Sequence, residues 1–201
     1  MSEIYSPVRV AKVAEAMGLR RGLSMDILTG WNFNESDSRR RAWKHVKEDE
    51  PLLLIGSPMC TMFSHIQNLN WGRSVMGDQA MWARLQVAIN HMEFVCQLYE
   101  EQHRRGRYFL HEHPMTASSW ELACIRRLAA KIGVYIVRSD LCQFGLTSKD
   151  AQGEAPAKKP TYFMTDSATI AKLVTRRLAK LVTRRLAKLV TGKLAKLVTR
   201  R

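Results

Sequence analysis

The chain is 201 residues long with a net charge of +14, which is room for one domain with a full core, or for one domain and an appendage. Residues 1–166 hold 21 basic and 18 acidic side chains, whereas residues 167–201 hold eleven basic and no acidic ones. The high pI therefore describes the tail, and the nucleic-acid inference it invites applies mainly there. The apolar runs fall short of the roughly 20 residues of a bilayer span, and MSEIYSPVRV lacks the basic and apolar regions of a secretory signal. Cys60, Cys96, Cys124 and Cys142 stand singly with no Cys-x-x-Cys pair, which leaves out a zinc or dithiol motif. That usage fits reduced thiols in an intracellular compartment, cytoplasmic or nuclear.

Helix-like and strand-like segments alternate along the body, the pattern of an α/β layer fold. The sequence predicts a helix from Pro7 to Met17, with Pro in its first turn and Gly18 as its stop. Ser24 to Leu28 reads as a short strand ending near Asp26. Ser36 or Asp37 then caps a charged helix running to about Lys47, and Leu52 opens an apolar strand that breaks at Gly56-Ser57-Pro58. The longest helix is expected between about Asp78 and His103, because Met81, Leu85, Ala88, Met92, Val95 and Tyr99 recur at spacings of four and three. After Gly106 a second apolar strand, YFLHEHP, ends on Glu112 and its flanking histidines. Ser118 and Glu121 suggest a capping box for a helix that stops at Gly133. Val134 to Val137 reads as a strand, Ser148 to Pro160 as a loop or linker, and Tyr162 to Met164 as one more strand.

The tail from Ser167 is unlike the body. LAKLVTRR recurs at Leu178 and Leu186, and continues through Leu194 to Arg201 after Gly192 and Lys193 replace the two arginines. Eight residues overshoot two helical turns by roughly 80°, so the apolar patch spirals and gives no fixed face or coiled-coil seam. The segment is expected to extend from the body as a basic helix or a frayed segment and not to complete the core.

Two pieces of the body point to chemistry. In an open α/β sheet, ligands bind beyond the carboxyl ends of the strands. Cys60, just past the Leu52 strand, and Glu112, at the end of the next apolar strand, are thus a candidate nucleophile and acid expected at one edge of the sheet. Cys60 also reads as a small, inert loop-edge residue. His111 and His113 share a strand face and make either a two-ligand start of a metal site or ordinary polar positions. Trp71, in the loop from Asn68 to Arg73, is the most exposed candidate among the tryptophans for stacking on a base. Arg39, Arg40 and Arg41 are phosphate contacts or simply a solvated helix face.

SPMCTMFS, Ser57 to Ser64, resembles the proline-cysteine catalytic loop of cytosine-5 DNA methyltransferases, in which Phe and Ser follow the cysteine three and four positions later. HEHP falls where that family carries its glutamate-asparagine-valine motif, and DLCQFGL followed by KKPTYFMT resembles the downstream segment of phage-type members. The resemblance runs from about Asp26 to Thr165. It implies a Rossmann-like methyltransferase sheet with flanking helices over residues 1–166, and the basic repeat tail follows over residues 167–201. It also implies S-adenosylmethionine as cofactor, bound by Asp26 and Pro58, with Asp26 on the ribose hydroxyls or serving only as a turn aspartate. Cys60 would be the thiolate that adds to carbon-6 of a flipped-out cytosine, and Glu112, kept protonated by partial burial, would hold the ring nitrogen. Ser64, Lys158 and Lys159 would contact nucleic acid, DNA in the first place, and Arg176, Arg177, Arg184 and Arg185 would add a sequence-independent grip.

Against the family pattern, Met59 replaces its second proline, and His113 and Pro114 replace its asparagine and valine. Ser6-Pro7 stands where it has a glycine-rich turn. Two functions of different kinds follow from these features. One is a cysteine-dependent methyltransferase, and the other a non-catalytic nucleic-acid-binding remnant of a mobile-element or phage polyprotein.

Overall fold

The computed structural model describes residues 1–69 and 77–175. Trp71 and the arginines Arg176, Arg177, Arg184 and Arg185 lie outside the described residues, and with them the octapeptide repeat. The strands are Ser2–Ile4 (β1), Ser24–Met25 (β2), Leu53–Gly56 (β3), Tyr108–Pro114 (β4), Tyr135–Asp140 (β5), Thr147–Asp150 (β6), Gly153–Pro156 (β7) and Pro160–Thr165 (β8). The helices are Val10–Ala16 (α1), Ser36–Glu48 (α2), Gly77–Arg104 (α3), Ala123–Ala129 (α4) and Ala168–Val174 (α5). The fold is α/β, a mostly parallel six-stranded sheet in the order β2-β1-β3-β4-β8-β5 with flanking helices, compatible with a Rossmann-like fold. Strands β2, β1, β3 and β4 are parallel, whereas β8 lies antiparallel between β4 and β5.

The connection from β1 leads to one side, to β2, and the next returns past β1 to β3. The order of the strands thus reverses between β1 and β3, and at such a switch point the loops leaving the carboxyl ends part and open a crevice.

The apolar spacing of α3 does what it predicts. Met81 is buried; Met92, Val95 and Tyr99 are buried within the main core cluster, and Leu85 and Ala88 are half-buried against that cluster. Met92, Val95 and Tyr99 share that cluster with Ile4, Leu54, Phe109 and Met164 from the sheet and Ile125 and Leu128 from α4. Each such burial is worth about 1.5–3 kcal/mol. On α2, Ser38, Ala42, His45 and Val46 turn inward, and the His45 ring meets the Ser2 hydroxyl at 2.9 Å.

Several local expectations change, among them the cap of α2, which neither Ser36 nor Asp37 provides, since both lie within the helix and its N-cap position is Glu35. Helix α1 starts at Val10 and not at Pro7, because the buried Glu3 carboxylate draws the Arg9 and Ala11 amides at 3.2 and 2.6 Å and holds the preceding turn open. Ser118 to Glu121 forms a 3-10 turn instead of a capping box, and α4 follows Leu122 with no side-chain cap. The Ser118 hydroxyl donates instead to the Phe63 carbonyl, at 3.4 Å. The expected linker contains the exposed hairpin β6–β7, which pairs Thr147 with Pro156 and Asp150 with Gly153. Finally, the packed body runs on past Asp166. Ser167 accepts the Ile170 amide and α5 packs on β5 and β8 with Ala171 buried, so these residues belong to the sheet's cover.

Candidate functional site

The carboxyl ends of β1, β2 and β3 surround a cavity of about 700 Å³, within the usual range for a small-molecule site. Tyr5 follows β1, Asp26 follows β2, and Ser57, Met59, Thr61 and Met62 come from the loop after β3. Opposite them, α3 contributes Ala83, Arg84, Val87 and His91, and the segment before α2 contributes Trp31 and Phe33. The lining is mainly apolar with a few polar groups.

The turn after β1 contains no glycine, yet Tyr5 adopts a left-handed φ of 54°, a conformation that costs a non-glycine residue about 1–2 kcal/mol. Glu3, fully buried one pleat earlier, holds it. Its carboxylate accepts the Ser6 hydroxyl at 2.7 Å as well as the Arg9 and Ala11 amides. The amino end of α1, where dinucleotide-binding sheets place a pyrophosphate, is occupied by the protein's own carboxylate.

Asp26 has two positions at once. Its Oδ1 accepts the Leu28 amide at 3.0 Å, so it is a turn cap, and its side chain also lines the cavity. On the facing wall the Tyr5 hydroxyl meets His91 Nδ1 at 2.8 Å, and His91 Nε2 meets Asn34 Oδ1 at 3.0 Å. Burial raises the Tyr5 phenol and, with the Arg39 charge adding to it, lowers His91. Both are therefore neutral, and the bonds take one direction: Tyr5 O–H donates to Nδ1, and Nε2–H donates to Asn34.

Cys60 stands between the lining residues Met59 and Thr61, half-buried, and its carbonyl accepts the Phe63 amide at 3.0 Å to close a single 3-10 turn. All four cysteines are free. Gly56 at the end of β3 is in register with His111 of β4, so the Cys60 loop and Glu112 leave the same edge of two adjacent parallel strands. Glu112 is half-buried, and its buried Oε1 takes no hydrogen bond from the described residues.

His113, which departs from the family pattern in sequence, connects these pieces. Its Nδ1 meets the Ser119 hydroxyl at 2.7 Å, and its ring lies 6.0 Å from that of the buried Phe63. Burial brings His113 down to about 4; the Pro58 carbonyl, near but outside hydrogen-bond geometry, opposes the shift, and the Lys159 charge adds to it. The histidine thus reaches the loop after β3 on both sides of Cys60, at Pro58 and at Phe63. His111 stacks on His113 at 5.6 Å, and among the described residues no group of three or more His, Cys, Asp or Glu is placed to hold a metal ion.

The other expected site residues fall around this centre. Pro58 is buried and turned to His113, while its neighbours Ser57 and Met59 take the cavity side. Ser64 accepts the Ile66 amide at 3.3 Å. Lys158 and Lys159 are exposed between β7 and β8, with Lys159 close enough to the carboxyl edge of β4 to act on His113. Nothing in the sequence alone singled out Tyr5, Arg84 or His91, because each becomes a cavity wall only when β1 and α3 meet. Among the described residues no helix is long and apolar enough to cross a membrane. Comparison of the chain with protein-family models, with curated proteins and with solved structures returns no match.

Proposed function

We propose that this protein is a cytosine-5-type methyltransferase of Rossmann-like architecture that binds S-adenosylmethionine and acts on nucleic acid through Cys60. One observation carries the reading: the loop that bears Cys60 is a wall of the same switch-point cavity that Asp26 lines. A carboxylate after the second strand suits the ribose hydroxyls of a nucleoside, and the apolar walls around Trp31 and Phe33 suit its base. Glu3 at the amino end of α1 disfavours a pyrophosphate, which argues for a nucleoside cofactor and against a dinucleotide.

S-adenosylmethionine, when bound, supplies an electrophilic methyl group. The protein's residues do the rest. Cys60, as thiolate, would add to carbon-6 of the extruded base, opening its C5–C6 double bond and making carbon-5 nucleophilic. Loss of the carbon-5 proton to water after methylation would re-form that bond and expel the thiolate. Glu112, at the same edge with an unpartnered buried oxygen, holds the ring nitrogen. His113 fixes the loop between them.

The test is methyl transfer from labelled S-adenosylmethionine to duplex DNA, with wild type and Cys60→Ala side by side. Transfer by the wild type and none by a normally folded Cys60→Ala is the expected result. Equal transfer by both removes Cys60 as nucleophile. No transfer by either, with salt-sensitive DNA binding retained, favours the non-catalytic binding protein.

A further inference from the structure

We infer that Arg84 is the ligand-reading residue of the switch-point cavity and that it selects a nucleoside bearing a single carboxylate. The inference rests on the cavity being a nucleoside site and goes beyond it by assigning the other end of the ligand. Among the described residues that line the cavity, Asp26 is the one acid and Arg84 the one residue with a permanent positive charge. His91 and Tyr5, the other titratable walls, are held neutral by burial, with the Arg39 charge adding to the effect at His91 and opposing it at Tyr5.

Arg84 is set on α3 between apolar lining residues, Ala83 on one side and Val87 and Ala88 a turn further on. It is exposed and makes no hydrogen bond or ion pair with the described residues. Many arginines of the body are engaged, such as Arg39 on the Phe33 carbonyl, Arg104 and Arg105 on Glu101, Arg107 on Glu50 and Arg127 on Glu100. Arg9, Arg20, Arg126 and Arg138, which share the lack of a side-chain partner among the described residues, do not line the cavity. An unpaired guanidinium on an apolar wall is a fork of donors that matches a carboxylate. The usual anion position of such sheets, the amino end of the first helix, is closed by Glu3. A ligand anion therefore has Arg84 as its partner, and one cation balances one carboxylate better than a chain of phosphates. A sugar diol at Asp26 and a carboxylate at Arg84 describe an amino-acid-bearing nucleoside.

The experiment titrates the full chain with S-adenosylhomocysteine and with 5′-methylthioadenosine, which keeps the nucleoside and thioether but lacks the amino-acid end. Heat of binding and the fluorescence of Trp31 report occupancy. The wild type is expected to bind the first roughly tenfold more tightly. Arg84→Met should erase that preference and leave methylthioadenosine affinity unchanged, and Arg84→Lys should restore part of it. Binding of both compounds with the preference intact in Arg84→Met overturns the role of Arg84 alone. Binding of neither compound by the wild type overturns the nucleoside site and the inference together.

Discussion

The Tyr99 hydroxyl stands over Gly56 so closely that a Cβ at Gly56 would fall inside it. This contact joins the carboxyl-terminal part of α3 to the last residue of β3 at the point where the chain turns toward Cys60. Gly56 is needed there for room, since it is not among the glycines with a left-handed φ. Gly56→Ala is expected to lower stability by about 1–3 kcal/mol in urea denaturation, the usual cost of overpacking. Tyr99→Phe in the same chain should recover part of that loss, because it removes the obstructing oxygen. A Gly56→Ala protein as stable as wild type would contradict the packing described.

Stability should fall as the pH is lowered from about 6.5 to about 4. His113 has its folded value near 4, and His111 is held well below the ordinary imidazole value by burial, with His113 adding to it. An unfolded histidine takes its proton near 6.5. Between those limits the unfolded chain binds more protons than the folded one, so stability increases with pH and the contribution is complete above about 6.5. For His113 alone this is of order 3 kcal/mol. His113→Gln should flatten the dependence of the urea midpoint on pH over this window. An unchanged slope would mean that His113 is not buried as a neutral ring.

Asp26→Asn separates the two positions of that side chain. Asparagine caps a turn about as well as aspartate, so the 3-10 turn after β2 and the thermal midpoint should be kept. Affinity for S-adenosylhomocysteine should drop roughly tenfold, as expected for losing a charged acceptor of the ribose hydroxyls. Unchanged affinity in a calorimetric titration would leave Asp26 a cap alone.

Removing residues 176–201, which carry ten of the basic side chains, should weaken binding to duplex DNA and reduce its dependence on salt, through lost counterion release. The cut belongs after Thr175, because α5 covers part of the sheet. Loss of the cooperative melting transition, or an unaltered salt slope, would make the removed segment structural.

What could be read from the residues in advance depended on how local its cause is. The long helix α3 was legible because its buried positions repeat at four and three, and β3 and β4 because they are apolar runs between turn residues. The start of α1 was not, since it is decided by Glu3, a residue on a strand whose carboxylate competes for the helix's first amides. The hairpin β6–β7 escaped because every residue in it is exposed, so no alternation marks it. Cys60 and Glu112 stood out by chemistry and strand position. His113 looked like a departure from a pattern, and its connection to Phe63 and Ser119 exists only once β4 lies beside the loop after β3.

The antiparallel insertion of β8 imposes an order of events on the nascent chain. Strand β5 pairs with β8 and with no other strand of the sheet, and β8 is made some twenty residues later. Until Pro160 to Thr165 has been synthesised, β5 has no place to dock and the outer edge of β4, the strand that bears Glu112, offers its backbone groups to any extended segment. Unpaired edges of this kind are where incomplete chains associate. The arrival of the last strand thus covers the edge of β4 and moves the open edge of the sheet outward to β5.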